Sequence, residues 1–333
     1  MNRKWYSVLL CVGLMAFSQA QAEGTLNIVA TTEHYGAIAK IVGADRVTVS
    51  SLANGDQDPR VLEPKRSFTA LCNKADLLIV NGQGLEAAWL PALLSDSVNS
   101  RIIEGKPGYL DASRGVALLP YAPDELERPP LFNVMVGLGA LFGGSRREAE
   151  LANNRYYWLD PANGEVIART ISERLALLDP PNAAFYQANY ARFAARLQEK
   201  LQTWDAMMQP FTGTEIVSFR RSWTYLATRH GIKISAYIEP REPLVLGTTT
   251  VMHRPGGDEI AFLVAHMQQQ RIKLIVAETY QDYSVAQQIA TRAGAHLLLL
   301  PSAVSQRQGM DDYFQLFDHI YTQLVKALQG SGV

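Results

Sequence analysis

The sequence predicts an α/β protein of two (β/α) lobes, each built on a parallel sheet, joined by one long spine helix. Three observations predict it. Short apolar, β-rich runs alternate with amphipathic runs of helical period from Thr25 to Ser95. The same alternation resumes from Glu215 to Leu328. Alternation of this kind gives parallel strands covered by helices on both faces. Between the two halves lies one helical run, about Asn182 to Met208, in which Phe193, Leu197, Leu201 and Trp204 form a stripe of 3.6-residue period. At 1.5 Å per residue that run spans roughly 40 Å. The expected organisation is a targeting segment over 1–22, an N-terminal lobe over 23–180, the spine over 181–210 and a C-terminal lobe over 211–333.

In order, Arg3 and Lys4 precede an apolar stretch, Val8 to Phe17, and Ala20-Gln21-Ala22 offers a small-residue cleavage site. This is the pattern of a secretory signal removed near Ala22. The apolar stretch is short for a bilayer span, so a soluble periplasmic protein is expected. Cys11 follows Leu10, where a lipoprotein site would have a small residue, so no lipid anchor is expected. Cleavage leaves one cysteine, Cys72, and no intramolecular disulfide. It also removes two basic residues and no acid, so 31 basic groups against 32 acidic become 29 against 32, a net charge of about −3. That balance gives no electrostatic footprint for nucleic acid or a membrane surface.

Thr25–Thr32 reads as a buried strand, and His34–Val42 as a helix with Tyr35, Ile38, Ile41 and Val42 on one face, stopped by Gly43. Val47–Leu52 is a second strand. Ala53–Pro59, with Asn54-Gly55, is a turn-rich loop. Pro64 is placed to open a helix at its first position, carrying Phe68, Leu71 and Cys72. Asp76–Asn81 is a third strand. Gly82 and Gly84 then turn the chain into a helix over Glu86–Ser95. Residues 104–135 carry Pro120, Pro123, Pro129 and Pro130 and read as loop. Phe132–Phe142 is apolar, either a strand or a buried loop, and Gly143–Arg147 is a polar break without phosphate-binding glycine spacing.

Asp160-Pro161 starts a helix bearing Val166, Ile167, Ile171 and Leu175, which Asp179-Pro180-Pro181-Asn182 interrupts before the spine. Beyond the spine, Glu215–Phe219, Lys233–Ile238, Lys273–Ala277 and His296–Leu300 read as strands. Ser222–Arg229, Asp258–Gln270, Ser284–Ala293 and Met310–Leu328 read as helices.

The stretch Phe219-Arg220-Arg221-Ser222 sits where a strand runs into a helix, the place where α/β sheets present ligand groups. Two arginines there either reach across a cleft or lie solvated on the surface. Arg60 in Asp58-Pro59-Arg60 and the aromatic run Tyr156-Tyr157-Trp158 favour the cleft. Glu278 ends a strand and reads equally as a cleft residue or as the cap of a turn. His34, just past the first strand, is a further cleft candidate. The other histidines form no HxH or HxxxH pair.

Five stretches carry a resemblance: Asp58-Pro59-Arg60-Val61-Leu62-Glu63-Pro64; Ala75–Gly82 with Gly84-Leu85-Glu86 and Trp89; Tyr157-Trp158-Leu159-Asp160-Pro161; Arg221-Ser222-Trp223-Thr224-Tyr225; and Tyr237-Ile238-Glu239-Pro240. Together they are similar to the zinc- and manganese-binding periplasmic solute-binding proteins of ABC importers, cluster A-I, over nearly all of the mature chain. The resemblance implies two lobes, one ligand site in the cleft between them, and an ABC permease as partner.

The chain departs from that family at the site. Members usually carry histidine at the positions of Arg60, Tyr156 and Arg220, and an acid in the loop that is here Pro301–Ser305. A guanidinium has donors, a permanent charge and no lone pair for a metal. At ~4 Å and an effective dielectric of ~20, each charge pair repels by roughly 4 kcal/mol. No metal site of family geometry is therefore expected, and no cofactor.

Three readings follow. In the first, Arg60, Arg220 and Arg221 with Tyr156 grip a small anion or an anionic metal complex through charge-assisted bonds. In the second, Zn²⁺ or Mn²⁺ is the transported ligand on a rearranged set such as His34, Tyr156 and Glu278. Tyr156 also admits ferric iron, against which the shortage of carboxylates counts. In the third, the fold is a ligand-free interaction module whose arginine closes the cleft on an acid such as Glu278. A monomer is expected, and an enzyme is not. Asp160, Glu239 and Glu278 are acids without the nucleophile–base spacing that acid/base catalysis needs.

Overall fold

Residues 25–121, 153–239, 244–246, 249–251 and 254–330 are described by the structure, a computed structural model. The expected targeting segment, the Phe132–Phe142 run and the Gly143–Arg147 break lie outside the described residues.

The first sheet is made by β1 (Leu26–Thr32), β2 (Val47–Ala53), β3 (Leu77–Val80) and β4 (Tyr109–Asp111), in the order β2-β1-β3-β4 with every pair parallel. The second uses β5 (Glu215–Ser218), β6 (Lys233–Tyr237), β9 (Leu274–Glu278) and β10 (His296–Leu300), in the order β10-β9-β5-β6, again all parallel. Read from its second strand, each sheet has the same topology: second, first, third, fourth. The order reverses beside β1 in one lobe and beside β5 in the other. Ligands of open α/β sheets bind at such switch points, outside the carboxyl ends of the strands. The interior strands β3 (Leu77–Val80) and β9 (Leu274–Glu278) are buried throughout, which is why they read as continuous apolar runs.

Helix α1 (Glu33–Gly43) follows β1 and buries Tyr35, Ile38 and Val42. Helix α2 spans Arg66–Lys74 and α3 spans Leu90–Ser95. Further along the chain come α4 (Asn163–Leu178) and the spine α5 (Ala183–Met208, 26 residues). Phe193, Leu197, Leu201 and Trp204 are all buried on one stripe of α5, as their period predicts. Helix α6 is Thr224–Arg229, α7 is Gly257–Gln270, α8 is Ser284–Ala293 and α9 is Tyr313–Gly330. The last helix returns to the spine. Trp204 stacks on Tyr321 at 5.2 Å and donates its indole N–H to Asp318 at 2.9 Å. One apolar core therefore runs from α1 through α4, α5 and α9, with separate cores behind each sheet.

Three local expectations are corrected. Pro64 does not open α2. Lys65 is extended at φ −108° and caps a helix that begins at Arg66. The helix expected over Glu86–Ser95 begins only at Leu90. Ahead of it Glu86 turns inward to accept from Thr31 Oγ1 (2.6 Å) and the Asn81 N–H (2.7 Å), while Trp89 Nε1 donates to the Pro59 carbonyl (2.8 Å). Those long-range bonds hold residues 85–89 in turns. The expected Ser222–Arg229 helix opens instead with a 3₁₀ turn, Arg221–Trp223. The three-residue strand β4 and the antiparallel hairpin of β7 (Leu244–Leu246) with β8 (Thr249–Val251) are too short to carry a readable period.

Candidate functional site

The carboxyl ends of the two sheets face each other. The loop after β2 brings residues 54–60 across from the C-terminal lobe, and three contacts show the lobes in touch. A Cβ on buried Gly55 would collide with the Val304 carbonyl and stand 2.9 Å from the Ala303 carbonyl oxygen, so only glycine fits there. Asp56 Oδ1 accepts from Ser305 Oγ (3.0 Å) and Gln308 Nε2 (2.7 Å). Asp58 Oδ2 accepts from Arg220 Nη1 at 3.2 Å.

The third contact belongs to a chain of charges. Asp58 Oδ1 accepts from the backbone N–H (3.0 Å) and Nε (2.9 Å) of Arg60, and Oδ2 from Arg60 Nη2 (2.6 Å). Arg220 in turn gives Nε (3.0 Å) and Nη2 (2.6 Å) to Glu239 Oε2. The series Arg60–Asp58–Arg220–Glu239 alternates in sign and holds two cations against two anions. Both arginines are nearly sealed, 3% and 5% exposed. Their burial has a local cause. Proline at 59 and the Trp89 indole on its carbonyl fold the 58–60 turn back onto the N-terminal lobe. On the other side Ser218 Oγ donates to the Arg220 carbonyl and fixes the extended backbone at the end of β5.

Arg221 points elsewhere. Its guanidinium lies over Tyr237 at 4.6 Å and near Tyr121 at 5.7 Å, a cation–π placement. Glu278 closes β9, wholly buried. Its Oε1 accepts from Ser222 Oγ, and its Oε2 has no hydrogen-bond partner. Burial pushes its carboxyl up to about 7, against a smaller opposing pull from Arg60.

Tyr156 is 1% exposed and packs its ring 5.4 Å from Trp158, while its backbone N–H donates to Asn154 Oδ1. This segment bridges the lobes too. Trp158 Nε1 donates to the Ser302 carbonyl (2.8 Å), and Asn154 Nδ2 to the Arg221 carbonyl (2.9 Å). His34 stacks on Trp158 at 4.6 Å and 13°, with Nε2 at 3.1 Å from Thr32 Oγ1. Burial lowers its imidazole to about 3, so it is neutral at any ordinary pH. Asp160 is held by the Ala162 N–H (2.9 Å) and Arg229 (3.4 Å), a local cap rather than an acid facing a substrate.

Of the six candidate residues, the structure brings Arg60 and Arg220 together on one carboxylate and sets Glu278 within electrostatic reach of Arg60. It places Tyr156 and His34 around Trp158, and sends Arg221 to Tyr237. The acids that meet Arg220 are Asp58, across the lobes, and Glu239 on its own lobe, where the sequence pointed to Glu278 as an example. Asp58 does not stand among the sequence candidates, and Glu239 enters there only as an acid without a catalytic partner, although both lie in the motifs quoted above. The signal that finds them is general: a buried guanidinium needs an acid partner. Among the described residues, no group of three or more His, Cys, Asp or Glu side chains is disposed to hold a metal ion. The oxygens of Asp58, the central acid, are already taken by guanidinium donors.

Residues 28–327 match the family model described as zinc-uptake complex component A, periplasmic. The manganese ABC transporter substrate-binding lipoprotein PsaA of Streptococcus pneumoniae is 26% identical over 83% of this chain and 80% of its own length. The high-affinity zinc uptake system protein ZnuA of Bacillus subtilis is 21% identical over 86% and 82%. Among solved structures, a crystal structure of ZnuA superposes with a TM-score of 0.69 at 22% identity, covering 91% of this chain and 99% of the other. The Mn-bound periplasmic metal binding protein of Candidatus Liberibacter asiaticus gives 0.68 at 17%, covering 91% and 100%. At those identities the structural likeness speaks for the fold.

Proposed function

The chain belongs to the periplasmic zinc-uptake component A family, the metal-type solute-binding proteins of ABC importers, and from that premise we propose that it is a periplasmic binding subunit that does not carry a bare divalent cation. In this reading it docks on an ABC permease, has no catalytic activity, and joins its lobes by its own ion pairs at the family's cation position. One observation supports it above the others. The Asp58 carboxylate is shared by Arg60 of its own lobe and Arg220 of the facing lobe, at 2.6 and 3.2 Å. Two guanidinium groups on the central acid leave a Zn²⁺ or Mn²⁺ ion neither lone pairs nor a favourable field.

The same geometry weighs on the choice between the other readings. A small anion gripped by Arg60 and Arg220 must displace Asp58 or Glu239, which are covalently tethered and already aligned. Tethering gives such internal carboxylates an effective concentration that free anions do not match. The self-paired closure is therefore the reading adopted.

Calorimetric titration of Zn²⁺ and of Mn²⁺ into metal-stripped residues 23–333 tests it. No saturable heat is expected, and tight one-to-one binding of either ion would overturn the proposal. A parallel titration with phosphate and citrate is expected to be flat. Saturable heat that disappears in Arg60→Ala would return the site to the anion reading. Solution scattering on the same samples is expected to give the mass of a monomer and a profile unchanged by either ion.

A further inference from the structure

Glu278 is a wholly buried acid of the cleft that the ion-pair chain does not use. It stands at the switch point of the C-terminal sheet, where β9 adjoins β5. Its neighbours can be taken element by element. From β5 and the following turn comes Ser222 Oγ, a neutral donor to Oε1. From β10 comes Leu300, its register partner. Tyr280 and Gln281 follow on its own loop, where the Gln281 amide pulls the carboxyl down by less than burial raises it. The charged groups that act on it, Arg60 and Asp58, both belong to the loop of the opposite lobe. Arg220 and Arg221, from the strand next door, spend their guanidinium groups on Glu239 and Asp58 and on Tyr237. Arg60 is held bidentate by Asp58. An ionised Glu278 would therefore add a wholly buried negative charge whose Oε2 has no hydrogen-bond donor.

We propose that closure of the two lobes takes up a proton at Glu278, so that acidification favours the closed form and ionisation of this carboxylate favours the open one. The inference rests on the proposed reading in one respect: the lobes close on the 54–60 loop without a cation. The direction follows from burial. In the closed form the carboxyl titrates near 7, and in an open cleft water would return it toward its ordinary 4.5. A carboxyl raised by closure penalises the closed form fully above the higher value. The penalty shrinks as pH falls from there toward the lower value, and below that it is absent.

The experiment measures lobe separation by electron–electron resonance between nitroxides on exposed Lys74→Cys and Gln288→Cys, in residues 23–333 with Cys72→Ala. The closed-to-open ratio is expected to rise about tenfold or more between about pH 8 and about pH 5.5. Glu278→Gln, which keeps the shape and cannot ionise, is expected to be closed at both pH values. A wild-type ratio that does not move with pH overturns the proposal, and so does a Glu278→Gln variant that keeps the wild-type profile. Asp58→Asn separates this failure from failure of the ion-pair reading. If Asp58→Asn opens the lobes at every pH while Glu278→Gln changes nothing, the ion pairs stand and the proton coupling falls. If Asp58→Asn leaves the distance unchanged, the ion-pair closure itself fails.

Discussion

Arg220→Ala should lower stability against urea by about 3–5 kcal/mol, the usual cost of removing one partner of a buried ion pair. Arg220 is 5% exposed and makes three charge-assisted bonds, two to Glu239 and one to Asp58. Alanine takes away the cation that stands between the two acids. Asp58 keeps Arg60, but Glu239 loses both donors on Oε2, and water reaches that oxygen poorly at 13% side-chain exposure. The double variant Arg220→Leu with Glu239→Leu makes the prediction discriminating. Replacing both members of a buried pair by apolar groups of similar volume is close to neutral. The double variant is therefore expected to recover most of the loss. If Arg220→Ala costs under about 1 kcal/mol, the range of surface pairs, the arginine is solvated and the lobes are not joined as described.

Gly55→Ala is expected to force the lobes apart. The glycine has an ordinary backbone, without the positive φ of Gly82 or Gly84. Its requirement is space. An added Cβ would meet the Val304 carbonyl carbon at 2.8 Å and the Ala303 oxygen at 2.9 Å. Both obstacles are main chain of the opposite lobe, so no rotamer change relieves them. Overpacking of this kind costs about 1–3 kcal/mol. Placed on closure alone, that moves the closed-to-open ratio by roughly five- to 150-fold. The nitroxide pair reads it directly, with Gly257→Ala as control, since a Cβ at Gly257 meets nothing within 4 Å. Equal distances in Gly55→Ala and the control would mean that this contact is not made in solution.

How much of this was legible beforehand depends on the range of the interaction. The strand–helix alternation, the two parallel sheets and the spine stripe of Phe193, Leu197, Leu201 and Trp204 come from periodicity within a few turns of chain, which a sequence displays. The start of α3 was misplaced by four residues because Glu86 and Trp89 answer to Thr31, Asn81 and Pro59, not to their own helix. Strand β4 was missed because three residues hold no period.

At the site, the sequence by itself determined the residue types: arginine at 60 and 220, tyrosine at 156. A guanidinium's lack of lone pairs also determined that these two side chains cannot themselves ligate a cation. Only the tertiary structure decided what those arginines do. The Asp58–Arg220 contact joins residues 162 apart, and the Arg220–Glu239 contact joins the ends of two neighbouring strands. A charged side chain shows its sign in the sequence, but its partner is set by which loop ends the packed sheets bring within about 3 Å, and no local pattern encodes that distance.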